Sequence, residues 1–345
     1  MSIRWCSPTG RVRYESTCCV HRARTCSADG GTTGPWHPAE PATSTLTPKA
    51  VPIRFPEVTS PSDDPRTVVL TGGNTGIGFC TAEALLTSGD RVVLGCRNET
   101  AASEAVEELR RRTRSDLIES RPLDLADLES VRAFAASLAD LERIDVLINN
   151  AGLVLDRRTE TAQGIEATFG INHLGHYLLT ELLSEQLIAA DSARIVVVAS
   201  VAHMAASGGI RWEMVEGSGR YSTGRAYGQS KLANILHAEA LTARFAGTGV
   251  VANSLHPGGV RTGFGKDGDT HGVNATIMKV SEYVLISPEA GARTSIFLAT
   301  DPDAGRISGR YWYHCRRSRV APWTRRTGDV EELVRRSDEL VARLS

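Results

Sequence analysis

The sequence predicts an α/β domain built as a doubly wound parallel sheet, about seven strands wide, with helices on both faces. Two observations predict it. Short β-branched apolar runs alternate with longer stretches of helical period from Arg66 to Cys315. That order belongs to βαβ units rather than to hairpins. The first run also ends in "TGGNTGIG" (71–78), a glycine-rich turn of the kind that joins a strand to a helix.

The elements follow in order. "RTVVLTG" (66–72) is the first strand. "TAEALLTSGD" (81–90) has helical spacing, with Gly89 where a helix stop belongs. "RVVLGC" (91–96) is the second strand, and "IESRPLD" (118–124), "LESVRAFAASLADL" (128–141) and "IDVLINN" (144–150) repeat strand, helix, strand. A helix around 165–189 leads to the strand "ARIVVVAS" (193–200). A helix over 226–246, the strand "VVANSLHP" (250–257), a helix near 289–299 and the strand "GRYWYH" (309–314) complete the domain, residues 66–315. The tail 316–345 contains "VEELVRRSDELVARL" (330–344), whose apolar spacing predicts an amphipathic helix packed on the domain.

Residues 1–65 read as a disordered N-terminal extension, because nine of the fourteen prolines fall there and no apolar period is sustained. The first 26 residues hold five arginines and one acidic residue, the flavour of a transit peptide; a start placed too far upstream gives the same texture. Cys6, Cys18, Cys19 and Cys26, with His21, lack metal-ligand spacing, so no metal is expected. A net charge of −1 and a pI of 6.8 argue against nucleic acid or an anionic membrane as partner. No run approaches the roughly 18 apolar residues of a membrane span. The expected compartment is the cytoplasm.

In "TGGNTGIG", Gly72, Gly76 and Gly78 let the chain turn sharply and let a pyrophosphate approach the helix N-terminus, with Asn74, Thr75 and Ile77 in the same turn. The spacing is T-G-x-x-x-G-x-G, not the G-x-G-x-x-G of two-domain dehydrogenases. The second strand ends in "GCRN", where a site built for NAD places an acidic residue. Cys96 takes that place, and Arg97, followed by Asn98, offers a guanidinium to a 2′-phosphate. NADP(H) is therefore favoured, with NAD(H) as the alternative.

"TGGNTGIG", "NNAG" (149–152), "YGQSK" (227–231) and "HPGGVRT" (256–262) occur in this order. Together the chain resembles the short-chain dehydrogenase/reductases, with a Rossmann-type domain. "ATFGINHLGHYLLTELL" (167–183) and "RIVVVASVAHM" (194–204) are similar to the retinol dehydrogenase and WW-domain oxidoreductase branch, itself similar to protochlorophyllide reductase. The resemblance implies that Asp124, with Leu125 beside it, contacts the adenine. It implies that Asn150, Ala151 and Gly152 line the adenine and ribose side. Pro257, Gly258, Val260 and Thr262 would hold the nicotinamide carboxamide, and Asn172, Ser200, Tyr227 and Lys231 would form the catalytic set. It also implies a homo-oligomer.

The chemistry suits those residue types. Carbonyl reduction needs a hydride on carbon and a proton on oxygen. A phenol titrates near pH 10, and a nearby ammonium is expected to lower that value. Tyr227 and Lys231 lie four residues apart in a helical run, so they share a face. Lysine at 231 stands out because the chain has only four lysines among 39 basic residues. Ser200 ends a strand at the ligand edge of the sheet and can donate to a developing oxyanion. Asn172 would hold a relay water by resemblance. His173 and His176 read as packing or cofactor-pocket polarity. The substrate walls are expected from 203–223 and 262–285, where Met204, Trp212 and Met214 hint at an apolar ligand. The expected activity is NADP(H)-dependent carbonyl–alcohol interconversion on a small molecule. A C=C reductase on the same scaffold, or a non-catalytic NADP(H) sensor, stands as the alternative.

Overall fold

A computed structural model describes residues 64–259 and 286–343. Val260, Thr262, the anticipated wall at 262–285 and nearly all of the N-terminal extension lie outside the described residues. The described chain opens with β1 (Thr67–Thr71), α1 (Gly76–Thr87), β2 (Arg91–Cys96), α2 (Glu99–Thr113), β3 (Ile118–Pro122), α3 (Leu128–Ser137) and β4 (Val146–Asn149). It continues with α4 (Ala167–Phe169), a π-helical turn (Gly170–Leu174), α5 (Gly175–Leu182), α6 (Ser184–Ile188) and β5 (Arg194–Val198). Then come α7 (Trp212–Val215), α8 (Thr223–Arg244), β6 (Val251–Leu255), α9 (Pro288–Thr300), β7 (Tyr311–Tyr313), β8 (Arg316–Arg317) and α10 (Asp329–Arg343).

The sheet runs in the order β3-β2-β1-β4-β5-β6-β7-β8. Every pairing is parallel except the last, where β8 turns back on β7. It therefore has eight strands, one more than the repeat predicts. β8 is two exposed arginines with no apolar period, so only its hydrogen bonding to β7 marks it as a strand. The strand order reverses between β1 and β4, and a crevice opens there beyond their carboxyl ends.

Side chains alternate between the two faces as a period of two requires. Val68 and Leu70 join Leu85, Leu109 and Leu298 on the face covered by α1, α2 and α9. Val69 joins Phe134, Leu179, Leu241 and Phe245 on the face covered by α3, α5 and α8. The strands read as continuous apolar runs because both faces are buried. Helix starts are fixed locally: Asn98 and Asp127 accept backbone N–H bonds as N-caps of α2 and α3.

The helix expected over 165–189 is interrupted. The buried Glu166 carboxylate caps α4 through the N–H groups of Thr168 and Phe169, both at 2.9 Å. The π turn follows, and α5 and α6 are separated at Leu183. A π turn changes the register of backbone pairing without altering residue type, so apolar periodicity does not reveal it.

At the C-terminus, α10 lays Leu333 and Leu340 into a cluster with Phe169, Leu232 and Leu236. Tyr177 donates its hydroxyl to Asp338 at 2.6 Å across the same contact. Leu333 is fully buried, so Leu333→Ala is expected to lower unfolding stability by about 2–4 kcal/mol. Urea unfolding followed by circular dichroism measures this. A change under about 1 kcal/mol would mean that α10 lies outside the cooperative unit.

Candidate active site

The glycine turn sits at the carboxyl end of β1. Gly72 (φ 68°) and Gly76 (φ 58°) take backbone conformations that side chains disfavour. A Cβ on Gly78 would lie 2.2 Å from the Gly72 carbonyl oxygen, so the turn closes only without one. Asn150 Nδ2 fastens it by donating to the carbonyls of Thr71 (2.8 Å) and Gly72 (3.0 Å). Helix α1 begins here with no side-chain cap and no acidic residue in its first turn. Its first N–H groups and the positive end of its dipole thus face the crevice, which fits a bound pyrophosphate. Asn74, Gly76 and Ile77 are half-buried around it and Thr75 is exposed.

At the end of β2, Cys96 is buried, and its thiol pKa is raised by that burial against hydrogen bonds from the backbone of Gly73, Asn74 and Gly72. It lies beneath the turn rather than in the crevice. Arg97 is exposed and makes no ion pair among the described residues. Asn98 commits its Oδ1 to the Ala101 N–H at 3.0 Å. Asp124 accepts from the Ala126 N–H at 2.9 Å and remains half-buried at the rim. Leu125 departs from the expectation: its side chain is part of the α3-side core, so only its backbone can face a nucleotide.

Tyr227 and Lys231 occupy one face of α8, with the lysine Nζ 5.7 Å from the tyrosine ring centroid. Lys231 is 3% exposed and donates to the Val198 carbonyl at 3.1 Å. A Cβ on Gly152 would come within 3.1 Å of that Nζ and 3.0 Å of Asn172 Oδ1. Gly152 thus lets three predicted site residues close on one another. Asn172 lies in the π turn; its Oδ1 accepts from Leu153 N (2.8 Å), and its Nδ2 donates to Leu153 O (2.9 Å) and Ser230 Oγ (3.0 Å). Ser200 Oγ accepts from the Ala202 N–H at 3.1 Å, capping the 3₁₀ turn Val201–Ala205, and hydrogen-bonds the Tyr227 side chain.

The electrostatics differ from the sequence expectation. Burial pushes the Tyr227 phenol up to about 12, opposed by the Ser200 hydrogen bond. Burial pulls the Lys231 ammonium down to about 8. Desolvation is the largest cause of both shifts. At neutral pH the tyrosine keeps its proton and the lysine keeps its charge.

Farther along the crevice, Gly258 (φ 94°) donates its N–H to His256 Nδ1 at 3.2 Å, and half-buried Pro257 precedes it. Of the anticipated wall residues, Met214 is buried and Trp212 packs edge-on against Phe169 at 5.7 Å, beneath the Arg336 guanidinium. These two are packing. Met204 alone of the three is exposed.

Two polar bridges escaped the sequence. His176 Nδ1 lies 3.2 Å from the Asn172 carbonyl and Nε2 lies 2.8 Å from Thr71 Oγ1. A carbonyl only accepts, so Nδ1 carries the proton; burial first, then the charge of Lys231, holds the ring neutral by lowering its pKa to about 4. Nε2 therefore accepts from Thr71, whose oxygen also receives the N–H groups of Asn150 and Ala151, each at 3.0 Å. This joins the nucleotide turn to the π turn. Its sequence signal is the histidine four residues beyond Asn172. The second bridge is His203, 2% exposed, between Ser200 and the C-terminal segment. His173 contacts Ser337 Oγ at 3.2 Å and packs beside Phe169 and His237, away from this crevice.

Comparison with known proteins places this geometry. A family model described as short chain dehydrogenase matches residues 66–271. Human retinol dehydrogenase 13 is 38% identical over 278 residues, covering 79% of this chain and 82% of its own. Mouse retinol dehydrogenase 14 is 41% identical over 275 residues, covering 74% and 80%. Among solved structures, an uncharacterized protein from Mycobacterium paratuberculosis superposes with a TM-score of 0.63 at 32% identity, covering 82% of this chain and 95% of that one. A protein from Beutenbergia cavernae titled "a putative NAD(P) dependent gluconate 5-dehydrogenase", with NADP bound at low occupancy, gives 0.57 at 28% identity, covering 73% and 96%. With the glycine turn, the Tyr–Lys helix face and the strand-end serine in one crevice, the chain belongs to the short-chain dehydrogenase family.

Proposed function

We propose that the protein interconverts a carbonyl and an alcohol by hydride transfer with NADP(H), Tyr227 acting as general acid and base. The observation that carries this is the placement of Tyr227 beside the buried Lys231 on one face of α8, with its side chain hydrogen-bonded to Ser200. The bound cofactor supplies the hydride; position, polarity and the proton come from the chain. Gly72, Gly76, Gly78 and the start of α1 would hold the pyrophosphate. Arg97, which makes no ion pair among the described residues, would meet the 2′-phosphate, and the NADP bound at low occupancy in the Beutenbergia protein is consistent with such a fold admitting NADP.

Ser200 and Tyr227 would both donate to the substrate oxygen, which polarises the carbonyl as negative charge develops. Tyr227 gives up its proton as the alcohol forms. The resulting phenolate lies beside the Lys231 ammonium, which stabilises the charge and favours reprotonation. In the oxidative direction the same phenolate takes the proton from the alcohol. Asn172 holds Leu153 and Ser230 in place around this pair through its carboxamide.

Tyr227→Phe should lower kcat by about 10² to 10⁴ while leaving NADPH affinity near that of the parent; NADPH oxidation and fluorescence titration measure the two. Full turnover in this variant would remove Tyr227 from the proton transfer. Arg97→Asp should shift preference from NADPH toward NADH by roughly tenfold or more in kcat/KM, the scale of a lost charge-assisted hydrogen bond. An unchanged ratio would reject the 2′-phosphate contact.

Lys231→Met separates function from stability. The ammonium titrates at about 8 in the fold against an ordinary 10.5, so below pH 8 the folded state bears the full penalty, on the order of 3 kcal/mol. Between those values the unfolded chain binds more protons, and wild-type stability rises with pH until the penalty is gone. Asn234 Nδ2 also donates to the Val198 carbonyl at 3.1 Å, so removing the lysine orphans no acceptor. The variant is expected to be inactive, with a Tm above wild type below pH 8 and a gap that closes by pH 10.5. A gap constant with pH would refute the buried-charge origin.

A further inference from the structure

Two short turns beside Ser200 concentrate exposed apolar side chains. Among the described residues five large hydrophobic side chains are exposed, and three of them are Val201 (48%), Met204 (43%) and Trp323 (53%). Val201 and Met204 belong to the 3₁₀ turn that Ser200 caps. That turn packs against α8 next to Tyr227: a Cβ on Gly228 would lie 2.8 Å from the Ala202 carbonyl oxygen and 3.0 Å from the Ala205 Cβ. Trp323 comes from the far end of the chain, in the 3₁₀ turn Pro322–Thr324.

The bonds that bring Trp323 there are specific. Its indole Nε1 donates to the Met204 carbonyl at 3.0 Å, and its own carbonyl accepts from the Gly208 N–H at 3.0 Å. Two residues earlier, the Ala321 N–H donates to His203 Nε2 at 3.2 Å. The other ring nitrogen of His203, Nδ1, donates to the Ser200 carbonyl at 2.8 Å. One neutral, buried imidazole thus ties the backbone of Ser200 to the C-terminal segment. Tyr311 backs the ring edge-on at 5.3 Å, and Val320 packs against Ala199, Ile235 and Tyr311. The segment is anchored at both ends, yet the indole it presents stays more than half exposed. Anchoring an apolar ring in the open beside a reaction centre brings no packing gain of matching size; it suits a ring that awaits an apolar ligand.

We propose that Val320–Thr324 is a wall of the substrate pocket, that Trp323 and Met204 determine specificity for the apolar body attached to the reacting carbonyl, and that His203 is the positioning residue holding this wall in register with Ser200. The proposal rests on the reading of Ser200 and Tyr227 as the reaction centre. His203 touches neither substrate nor cofactor and acts through the segment that it holds.

The test compares two aldehydes with one reacting group, propanal and decanal, with NADPH as donor. Trp323→Ala should raise the ratio of decanal to propanal KM by about fivefold to twentyfold, the scale set by losing an apolar contact in a pocket. His203→Asn keeps a donor where Nδ1 reaches Ser200 but cannot reach Ala321, so it should raise the same ratio. His203→Gln restores an acceptor for Ala321 and should recover most of it. In the double variant with Trp323→Ala, His203→Asn should add less than about twofold, because both changes remove one wall. Leu182→Ala, at an exposed apolar residue outside the site, serves as the control and should leave the ratio unchanged. Equal effects on both aldehydes, or additive effects in the double variant, would overturn the wall. Calorimetric binding of 1-decanol and 1-propanol to Tyr227→Phe, with NADPH present, reads the wall without turnover. Selective loss of decanol affinity on adding Trp323→Ala keeps the wall even if wild type reduces neither aldehyde, in which case only the oxidoreductase reading fails. No selective loss removes the wall whatever the turnover.

Discussion

The rest of the site depends on keeping one ammonium out of water. Lys231 Nζ sits 3% exposed with a single carbonyl at hydrogen-bond distance and an aromatic ring near it. Desolvation of that size is unfavourable for a charge, so the surrounding fold must offset it. Its neighbours are arranged to permit it. Gly152 leaves the space that a Cβ would fill, and Asn172 spends its carboxamide on Leu153 and Ser230, so it does not compete for the charge. The same dry environment acts oppositely on the phenol, moving it up while the ammonium moves down. At neutral pH the phenol keeps its proton and the ammonium form of the lysine predominates.

Holding that pair requires the second helix of the site to be irregular. The π turn at Gly170–Leu174 places Asn172 where regular helical pairing is broken, and the His176 side chain takes the Asn172 carbonyl. Through Thr71, the same imidazole reaches the end of β1, from which the glycine turn departs. The glycine turn and the π turn that carries Asn172 are thus parts of one hydrogen-bonded unit, closed by the Asn150 carboxamide on one side and the Asn172 carboxamide on the other.

What the sequence made legible follows from what a linear pattern encodes. The alternation of Val68, Val69 and Leu70 into two cores could be read, because a strand buried on both faces is apolar throughout. The glycine turn could be read, because Gly72 and Gly78 have no substitute at a positive φ or a 2.2 Å approach. The shared face of Tyr227 and Lys231 follows from helical spacing alone. Solvation could not be read: spacing brings an ammonium near a phenol but does not say how dry both are, and dryness reversed the direction expected for the tyrosine. The π turn and β8 leave no mark on apolar period. Trp212 and Met214 have the same chemistry as Met204 and Trp323, and only exposure separates packing from surface.

That separation also divides the chain by task. The glycine turn, Ser200, Tyr227 and Lys231 stand at strand ends and on α8, where parallel pairing and two cores fix them. The apolar turn after Ser200 and the segment around Trp323 are joined to that frame by backbone hydrogen bonds and one imidazole. Under the proposed reading, Met204 and Trp323 form the exposed apolar surface that a substrate would meet. His203 differs, because its Nδ1 bond reaches the Ser200 carbonyl and its Nε2 bond reaches Ala321. One side chain there would couple the geometry of the proposed reaction centre to the segment proposed to select what reacts.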